Sequence, residues 1–542
     1  MENALILVFT TILFILATVY LGWYGHRHTK NNEEFMLGRN KARPVIIALS
    51  YGATFLSTSA IVGFGGAAAM YGLSMIWLMV LCILIGTIVA FMVFGKKVRR
   101  KGQEHGARTF PEILGKTYGS PFIRTFSALI ILVGMPIYCA AVLTGGVNFI
   151  AVTIGVNRDV VLLGLSLIVA LYVIYGGVIA VMYNDALQAA IMFIGMAVIM
   201  IFTFWKLGGV GEAFASLQNL WANDISSTGA YDKLVAGGFN GWSESPSFGS
   251  NIWLNVVTTL LLGVGIGALA QPQLVVRFLS AKDDRALDRS MWIGAAFVLV
   301  ILGAAFTMGP LSNVYFHNYS IGANLGKTAI NFPNTDMIIP EFVNDLFGGM
   351  AGGDLFISLF VLALICAAIS TMSALFHVMG SAAGYDIWTR RKNLREVASK
   401  TNMAGSMKAN RAGTMIMVLV VVIVAYLMPG NIIAKATVIF MGMTAATLLP
   451  TMAYGLFSKG KPNITVAKIS IAVGMISWSL WAFFVNKGIA DVVRTPRLVG
   501  ESWMIYVDPI VIGLPLSAMA LVIAYLVLVR GRKEAAPEPQ PQ

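Results

Sequence analysis

The sequence has little charge and lacks the residue patterns that enzymes and metal sites use. Only 12% of its residues are charged, whereas an ordinary soluble domain carries about 25%. Its three cysteines, Cys82, Cys139 and Cys366, all lie in apolar stretches, which excludes a disulfide framework and a cysteine metal site. No phosphate-binding loop, metal-ligand cluster or nucleophile–base arrangement occurs at a usable spacing. We therefore predict that the chain is not an enzyme.

Long apolar runs take the place of the missing charge. Hydrophobic residues make up 57% of the 542-residue chain. Runs of about 20 residues, each long enough to cross about 30 Å of hydrocarbon, recur from end to end. The first run has no basic residues before it and no small-residue cleavage site, so we interpret it as a retained helix rather than a signal peptide. We predict an all-α membrane protein with about thirteen transmembrane helices.

The positions of the basic residues predict the orientation. If the N-terminus is outside, 30 of the 38 Lys and Arg residues, including every basic cluster, fall on inner segments. Cytoplasmic loops are the ones enriched in Lys and Arg. We therefore interpret the net charge of +13 as a sign of topology and not of nucleic-acid binding. We predict an outside N-terminus, an inside C-terminus and a multi-pass location in a prokaryotic inner membrane.

Two of the predicted helices are interrupted. Helix two reads ALSYGATFLSTSAIVGFGGAAAMYG, and helix seven reads NVVTTLLLGVGIGALAQPQLVVRF. Gly and Pro weaken a helix, and interrupted helices at corresponding positions of two halves indicate a transporter binding site. Their offset of five helices predicts an inverted five-helix repeat. The alternative is that the small residues serve only close helix packing.

The predicted helices divide the chain into six segments. These are an extra N-terminal helix with a cytoplasmic loop (1–43), the first repeat (44–205), an external loop (206–250), the second repeat (251–456), two C-terminal helices (457–530) and a disordered cytoplasmic tail (531–542). The tail is polar and rich in proline, which is typical of disorder.

Helix nine carries hydroxyl groups inside an apolar run, LALICAAISTMSALFHVMG. Ala367, Ser370, Thr371 and Ala374 follow a helical spacing that puts them on one face. Two hydroxyl oxygens and a carbonyl on that face form half of a site for a hard cation, and the interrupted helix two would supply further carbonyls. The alternative is that the hydroxyls bond to carbonyls of their own helix, as Ser and Thr in membrane helices commonly do.

Four stretches resemble the sodium/solute symporter family, which includes transporters of proline, pantothenate and glucose. They are EFMLGRNKARPVIIALSYGATFLS, YGGVIAVMYNDALQAAIM, ALAQPQLVVRFLSAKD and AAISTMSA. The resemblance extends from residue 33 to residue 460 and implies a leucine-transporter-like fold and sodium-driven symport. It assigns a principal sodium site to the backbone carbonyls of Ala53, Leu56 and Ala367. The hydroxyls of Ser370 and Thr371 complete that site.

Some members of the family bind a second sodium ion, for which the resemblance points to Asp185 and Ser373. The next hydroxyl position is Ala374 in this chain, so we expect one sodium ion per cycle. Capping of its own helix is the alternative role of Asp185. His377 is a candidate for a proton relay or for a structural hydrogen bond. Arg277 is expected to anchor the inner end of helix seven.

We predict that the substrate binds between the interruptions of helices two and seven. The candidate lining residues are Ser57, Thr58, Ser59, Tyr138, Asn255, Thr258, Thr259, Val264, Ala268 and Gln271. Ordinary bundle packing is the alternative role of Tyr138. Proline symporters have Trp and Tyr at the positions of Val264 and Ala268, and Asp at the position of Phe55. These differences argue against proline as the substrate.

The inferred cavity is apolar, contains hydroxyls and has no Lys or Arg. Half-helix ends, hydroxyls and a nearby sodium ion suit a small carboxylate. We predict a symporter whose partners are sodium, the lipid bilayer and a small organic solute, either a monocarboxylate or other organic acid or a neutral amino acid. We expect it to need no organic cofactor and to function as a monomer. A proton-coupled or uncoupled carrier of the same fold and a transporter-like sensor are the alternatives.

Overall fold

The protein is almost entirely helical. The computed structural model describes residues 2–38, 42–226, 228–320, 323–389, 403–428 and 433–530. Within these ranges, 11 helices are long and apolar enough to cross a membrane, and the one extended contact is a bridge between Ala42 and Ala281. The all-α prediction is therefore confirmed. The predicted tail 531–542 and the basic segment 390–402 lie outside the described residues.

The α-helices are numbered here in chain order. The first half contains α1 Glu2–His28, α2 Asn32–Leu37, α3 Pro44–Phe55, α4 Phe64–Tyr71, α5 Ile76–Ile83, α6 Lys96–Glu104, α7 Phe110–Tyr118, α8 Pro121–Ile154, α9 Arg158–Lys206, α10 Val210–Asn219 and α11 Asp232–Ala236. The second half contains α12 Asn251–Leu254, α13 Gly263–Gly265, α14 Pro272–Leu279, α15 Asp284–Asn318, α16 Ile338–Gly348, α17 Gly353–Ser381, α18 Met403–Leu427, α19 Ile433–Phe457, α20 Ile464–Phe484, α21 Lys487–Val493 and α22 Pro509–Tyr525. Segments of π-helix and 3-10 helix join many of them.

Two of the apolar helical stretches are too long for a single crossing. Helix α9 has 49 residues, roughly 74 Å at 1.5 Å per residue, against about 30 Å of hydrocarbon. Its backbone leaves the helical region at Gly177, where φ is 57° and ψ is −154°. A Cβ atom at Gly177 would lie 2.7 Å from the carbonyl oxygen of Phe35, so this bend requires glycine. The stretch Ser59–Glu104 is divided in the same way at Gly72, where φ is 76°. The total of thirteen crossings stays a prediction.

Helix α17 lies at the centre of the packing that positions the site. It contacts α9 along much of its length, and α3 and α8 each contact both of these helices. Every residue of α17 from Ala363 to Ser381 is buried. A helix that is buried all round faces other helices and not lipid. The hydroxyls of α17 are therefore directed into the protein interior.

The ends of several helices fall close to the predicted segment boundaries. Helix α3 begins at Pro44 and α9 ends at Lys206, close to the predicted first repeat 44–205. Helix α12 begins at Asn251 and α19 ends at Phe457, close to the predicted second repeat 251–456. The division into six segments and the orientation of the termini stay predictions.

Candidate functional site

The interruption of helix two lies between α3 and the π-helical segment Ser59–Gly63. The backbone of Leu56 has φ −99° and ψ 86°, outside the helical region, and its N–H donates to the carbonyl of Gly52 at 2.8 Å. The chain becomes helical again at Ser59. The last turn of a helix leaves carbonyls without the donors that a continuing helix would supply. The carbonyls of Ala53 and Thr54, in the last turn of α3, are therefore available to other groups.

Two hydroxyls of α17 reach across to these carbonyls. The Oγ atom of Ser370 lies 3.0 Å from the carbonyl oxygen of Ala53 and 3.3 Å from that of Ala367. The Oγ1 atom of Thr371 lies 3.4 Å from the Ala53 oxygen and 3.3 Å from that of Thr54. Both side chains are fully buried. Five oxygen atoms from two helices are therefore brought together at the interruption.

The structure brings together four of the five residues that the resemblance assigned to a sodium site: Ala53, Ala367, Ser370 and Thr371. Leu56 lies at the interruption and lines the neighbouring central cavity. In the described part of the chain, no hydrogen bond joins Leu56 to the two hydroxyls. The carbonyl of Thr54, which sequence reasoning did not select, takes that place. The sequence shows where helix two is weak, but it does not show at which residue the helix ends.

The composition of this oxygen set suits a small monovalent cation. Its three carbonyls and two hydroxyls carry no net charge, and hard cations prefer oxygen ligands. A hydroxyl that donates to a carbonyl still has two lone pairs for a cation. Within the residues that the structure describes, no group of three or more His, Cys, Asp or Glu side chains has the arrangement of a metal site. An alkali-type site at α3 and α17 therefore fits better than a transition-metal site.

A buried ion pair lies directly beside the oxygen set. The Nη2 atom of Arg277 is 2.7 Å from Oδ2 of Asp185, and both side chains are fully buried. Ser50 donates to the same carboxylate oxygen at 2.6 Å and Thr54 donates to it at 3.3 Å. Ser373 donates to the other oxygen, Oδ1, at 3.3 Å. All four partners of the carboxylate come from α3, α14 and α17, so Asp185 on α9 joins these helices.

The ion pair differs from what the sequence led us to expect of its two members. Asp185 is eight residues beyond Gly177 and inside α9, so it does not cap the first turn of a helix. Arg277 was expected to anchor the inner end of helix seven, but it is fully buried and also donates to Thr54 Oγ1 at 2.9 Å. Thr54 thus makes two kinds of contact: its side chain contacts the ion pair, and its backbone carbonyl contacts the hydroxyl of Thr371. The cation-type site and the ion pair share this residue.

His377 has a structural hydrogen bond. Its Nε2 atom lies 3.0 Å from the carbonyl oxygen of Phe35, and since a carbonyl only accepts, Nε2 is the donor. The Nδ1 atom is buried and has no hydrogen-bond partner among the described residues. The bond ties α17 to α2, which favours the structural role over a proton relay.

A small central cavity lies next to the interruption. It has about 20 Å³ of free space, enough for roughly one water molecule. The Tyr138 hydroxyl donates to Ser57 Oγ at 3.4 Å, and Ser59 Oγ is buried with no partner among the described residues. The remaining lining is mainly apolar. The lining residues are Phe55, Leu56, Ser57, Ser59, Ala60, Phe64, Leu78, Cys82, Tyr138, Val264, Leu302, Phe306, Thr437 and Met441.

Three other predicted substrate residues do not line this cavity. Thr58 donates to the carbonyl of Val142 at 3.0 Å and so joins helix two to α8. Gln271 is fully buried and donates to Thr444 Oγ1 at 2.8 Å, which holds the interruption of helix seven against α19. Ala268 lies in the 3-10 segment of the same interruption. The first two are therefore structural parts of the broken helices.

The last three predicted substrate residues lie towards the end of helix seven that is predicted to be outside. Asn255 and Thr259 line a cavity of about 1050 Å³, which we call the outer vestibule. Thr258 donates to the Leu254 carbonyl at 2.6 Å and accepts the backbone N–H of Asp508 at 3.0 Å. The amide and hydroxyl groups expected at the central cavity therefore belong to its outer approach.

The opposite end of the bundle is closed by polar contacts. Arg124 donates through Nε to Asp386 Oδ1 at 2.8 Å, and Thr109 donates to the same oxygen at 3.0 Å. Tyr385 donates to Glu112 Oε1 at 2.9 Å. These bonds fasten the π-helical segment Ala382–Thr389 to α7 and α8. This segment directly follows α17, which is the helix nine of the sequence prediction. The protein therefore has a wide cavity at the predicted outer end and a closed predicted inner end.

Comparisons with known proteins agree with this architecture. A sequence model described as "Sodium:solute symporter family" matches residues 35–474. The chain is 25% identical to the sodium/proline symporter of Escherichia coli, over 78% of this chain and 76% of that protein. It is 27% identical to the osmoregulated proline transporter OpuE of Bacillus subtilis, over 69% of this chain and 70% of that protein.

A solved structure has the same fold. It is a Na+-coupled sialic acid symporter in a substrate-bound, outward-open state, with a TM-score of 0.74, 19% sequence identity and 98% coverage of both chains. The fold is thus the leucine-transporter-like fold with its inverted five-helix repeat. Together with the 11 apolar helices, these matches identify the chain as a multi-pass integral protein of the plasma membrane.

Proposed function

The chain belongs to the sodium:solute symporter family, and as a member of that family it is a sodium-coupled transporter and not an enzyme; we propose that it imports a small organic acid. The observation that supports sodium binding is the contact of the Ser370 and Thr371 hydroxyls with the carbonyls of α3. We propose that Ala53, Thr54, Ala367, Ser370 and Thr371 hold the sodium ion.

A cation at this position would act on the contact between two helices. It would draw the last turn of α3 and the middle of α17 together, because each helix supplies part of the oxygen set. Leu56 and Ser57 follow this turn directly and line the central cavity, so the ion and the substrate would order the same interruption. Each ligand then raises the affinity for the other by the same factor. An inside-negative potential adds about 2.3 kcal/mol per 100 mV for each net charge carried inward.

We further propose that one sodium ion moves per cycle. The carboxylate of Asp185, which a second site would need, already has Arg277 as its counter-ion at 2.7 Å. The guanidinium keeps its charge at any accessible pH, so it acts as a permanent cation at this position. Uptake should depend on sodium with a Hill coefficient of about 1, the value for a single coupled site. A coefficient close to the value for two sites would contradict this stoichiometry.

The residues that line the central cavity, and not its free space of about 20 Å³, support a small substrate with a carboxylate. Its polar groups are hydroxyls, of which Ser57, Ser59 and Tyr138 lie at the interruption of helix two. A segment of helix begins at Ser59, and helix N-termini favour anions. The nearby sodium ion would balance the remaining charge. Proline is the second candidate, because the relatives named above are proline transporters, whereas Val264 and Phe55 in the lining differ from the proline symporters.

Uptake by reconstituted protein tests this function. Purified protein in proteoliposomes would be given radiolabelled small monocarboxylates, dicarboxylates, proline and other neutral amino acids under an inward sodium gradient. The same panel would be measured in choline buffer with an imposed pH gradient. We expect sodium-dependent accumulation of a monocarboxylate. Accumulation driven by the pH gradient alone would contradict sodium coupling, and accumulation of proline alone would favour the second candidate.

Ser59→Ala tests the central cavity once a substrate is known. The Ser59 hydroxyl has no partner among the described residues, so its removal should leave the thermal unfolding temperature unchanged. A lost hydrogen bond to substrate is worth about 1 to 2 kcal/mol, which corresponds to a roughly five- to thirtyfold rise in KM. Uptake kinetics measure this effect.

Thr58→Val is the matched control for Ser59→Ala. The Thr58 hydroxyl donates to the Val142 carbonyl and does not line the cavity. Its loss removes a second hydrogen bond from a carbonyl inside α8, so stability should fall by about 0.5 to 1.5 kcal/mol while KM stays unchanged. If Thr58→Val and not Ser59→Ala raises KM, the cavity has been assigned to the wrong face of helix two.

A further inference from the structure

The outer vestibule has a wall that the family match does not cover. One side is formed by helix seven and α19, through residues such as Asn255 and Val438. Another part of the lining comes from residues 486–508, which lie beyond the matched residues 35–474. The cavity of about 1050 Å³ is just above the range of roughly 300 to 1,000 Å³ found for small-molecule sites. The vestibule is therefore large enough to hold a solute of its own.

Most charges on this wall are already balanced. Lys487 Nζ lies 3.6 Å from a carboxylate oxygen of Glu501, and Asp491 lies 3.9 Å from Arg497. Asp508 caps α22 and accepts the backbone N–H of Ile510 at 2.9 Å, where the helix N-terminus offsets its charge. These groups have little capacity left for a ligand.

Two cations of the vestibule have no direct ion pair among the described residues. Lys435 and Arg494 both line the cavity and are exposed. In the described part of the chain, neither has a hydrogen bond or a carboxylate oxygen within 4.0 Å. Lys435 does act on Asp336, which lies outside the spans: burial raises the pKa of Asp336 to about 6, and the charge of Lys435 opposes that rise. Two cations without a direct ion pair, Lys435 on α19 and Arg494 in residues 486–508, give the vestibule a positive interior.

The backbone conformation at Arg494 also indicates a functional role for its side chain. Arg494 follows α21 with φ 61° and ψ 38°, and its N–H donates to the Ala490 carbonyl. Among the described residues it is the one non-glycine residue with positive φ. Glycine is the usual residue at this position after a helix. The chain keeps an arginine where glycine would fit the backbone better, and unusual backbone of this kind concentrates at functional sites.

The vestibule leads to the central cavity along the same two helices. On α19, Val438 lines the vestibule, whereas Thr437 and Met441 line the central cavity. On helix seven, Thr259 lines the vestibule and Val264 lines the central cavity. Five helical residues span about 7.5 Å, which is the scale of the separation between the two cavities. A solute bound in the vestibule is therefore directly outside the central cavity.

We propose that Lys435 and Arg494 form a carboxylate-binding site in the outer vestibule, which captures a small organic anion before it enters the central cavity. Ammonium and guanidinium groups bind carboxylates through charge-assisted hydrogen bonds, and a guanidinium binds both oxygens at once. A positive cavity also raises the local concentration of anions and the rate at which they arrive. The proposal rests on the proposed function only for the fate of the captured anion, and not for its binding.

Chemical protection of Lys435 tests this site without measuring transport. Right-side-out membrane vesicles holding the full chain would be treated with the impermeant amine reagent sulfo-NHS-acetate, and acetylation of Lys435 and Lys487 would be quantified by mass spectrometry. Propionate is the probe and propionamide is its neutral control, both in constant sodium chloride. At a propionate concentration four times its Kd, acetylation of Lys435 should fall about fivefold. Lys487, which is paired with Glu501, should be acetylated equally in all samples.

Two variants make the test specific. Arg494→Gly and Arg494→Asn both suit the left-handed backbone, so neither should impair folding. Each should abolish the protection of Lys435 by propionate. Equal protection by propionamide, retained protection in both variants, or acetylation of Lys435 only in inverted vesicles would overturn the proposal.

The sodium-site variant separates this proposal from the proposed function. In the Ser370→Ala/Thr371→Ala protein, sodium-driven uptake should be lost while propionate still protects Lys435. Protection with no uptake of any organic acid by the wild type would keep the vestibule site and contradict the proposed substrate. Uptake of an organic acid with no protection of Lys435 would support the proposed substrate and contradict the vestibule site.

Discussion

Replacement of both Ser370 and Thr371 with alanine is expected to reduce uptake in sodium to the level measured in choline. These hydroxyls supply two of the five oxygens at the junction of α3 and α17, and both are fully buried. The variant keeps the three carbonyls but leaves the α17 side of the site with only the carbonyl of Ala367. Initial uptake rates in proteoliposomes, measured against sodium concentration, give the result.

The expected loss is large because a bare alkali cation exchanges its water shell for these oxygens. An unpaired charge inside a protein costs many kcal/mol, so removal of two ligands raises the sodium Kd far above the external concentration. The fold should survive, since serine and alanine are similar in size and α17 is otherwise held by apolar contacts along its length. Thermal unfolding of the purified variant should therefore be close to that of the wild type, but without stabilisation by added sodium.

A second double variant provides the control. Ser127 and Thr203 are buried hydroxyls on α8 and α9 that donate to carbonyls of their own helices, both at 2.8 Å. Ser127→Ala/Thr203→Ala removes the same number of buried hydroxyls and should leave the sodium dependence unchanged. Sodium-stimulated uptake that persists in Ser370→Ala/Thr371→Ala, or disappears equally in the control, would show that sodium binds elsewhere.

The sequence was sufficient for the helical fold because the signals are local. Apolar runs define the helices, and the glycines and Pro272 of helix seven mark where that helix is interrupted. The hydroxyl face of α17 was also predictable, because Ser370 and Thr371 lie at helical spacing from Ala367. Features that depend only on periodicity and residue type could therefore be predicted from the sequence.

The remainder of the site depends on contacts between distant segments, which periodicity does not encode. Thr54 enters the oxygen set because α3 ends at Phe55, whereas the weak region of helix two extends over many residues. Arg277 meets Asp185 across 92 positions of the sequence. No role was predicted for Lys435, because its place in the vestibule depends on how residues 486–508 fold back over α19. Asn255 and Thr259 were predicted to line the central cavity, but they line the vestibule. The sequence does not show how far they lie from the central cavity, because that distance is a property of the folded protein.

Asp185→Asn is expected to destabilise the protein more than any other single change discussed here. The variant leaves the guanidinium of Arg277 fully buried without a counter-ion, and breaking one side of a buried pair costs about 3 to 5 kcal/mol. The hydroxyls of Ser50 and Thr54 can accept hydrogen bonds from Arg277, but they cannot supply the missing charge. Thermal unfolding in detergent should show a large fall in the midpoint. Asp284→Asn is the control, because this carboxylate pairs with Arg99 and Arg100 near the surface and should contribute at most about 1 kcal/mol.

Arg277→Met should be less damaging than Asp185→Asn, because a buried carboxylate can take up a proton whereas a guanidinium cannot lose one. The double variant Asp185→Asn/Arg277→Met removes both charges and should recover most of the stability lost in Asp185→Asn. The unfolding free energies of the wild type and the three variants then give a coupling energy of a few kcal/mol between the two side chains, well above the error of additivity between independent sites. If the effects of the single variants simply add, the two charges do not stabilise each other, and Arg277 does not act as the counter-ion of Asp185. In that case the carboxylate would be available to a second sodium ion, and the proposal of one ion per cycle would fail with it.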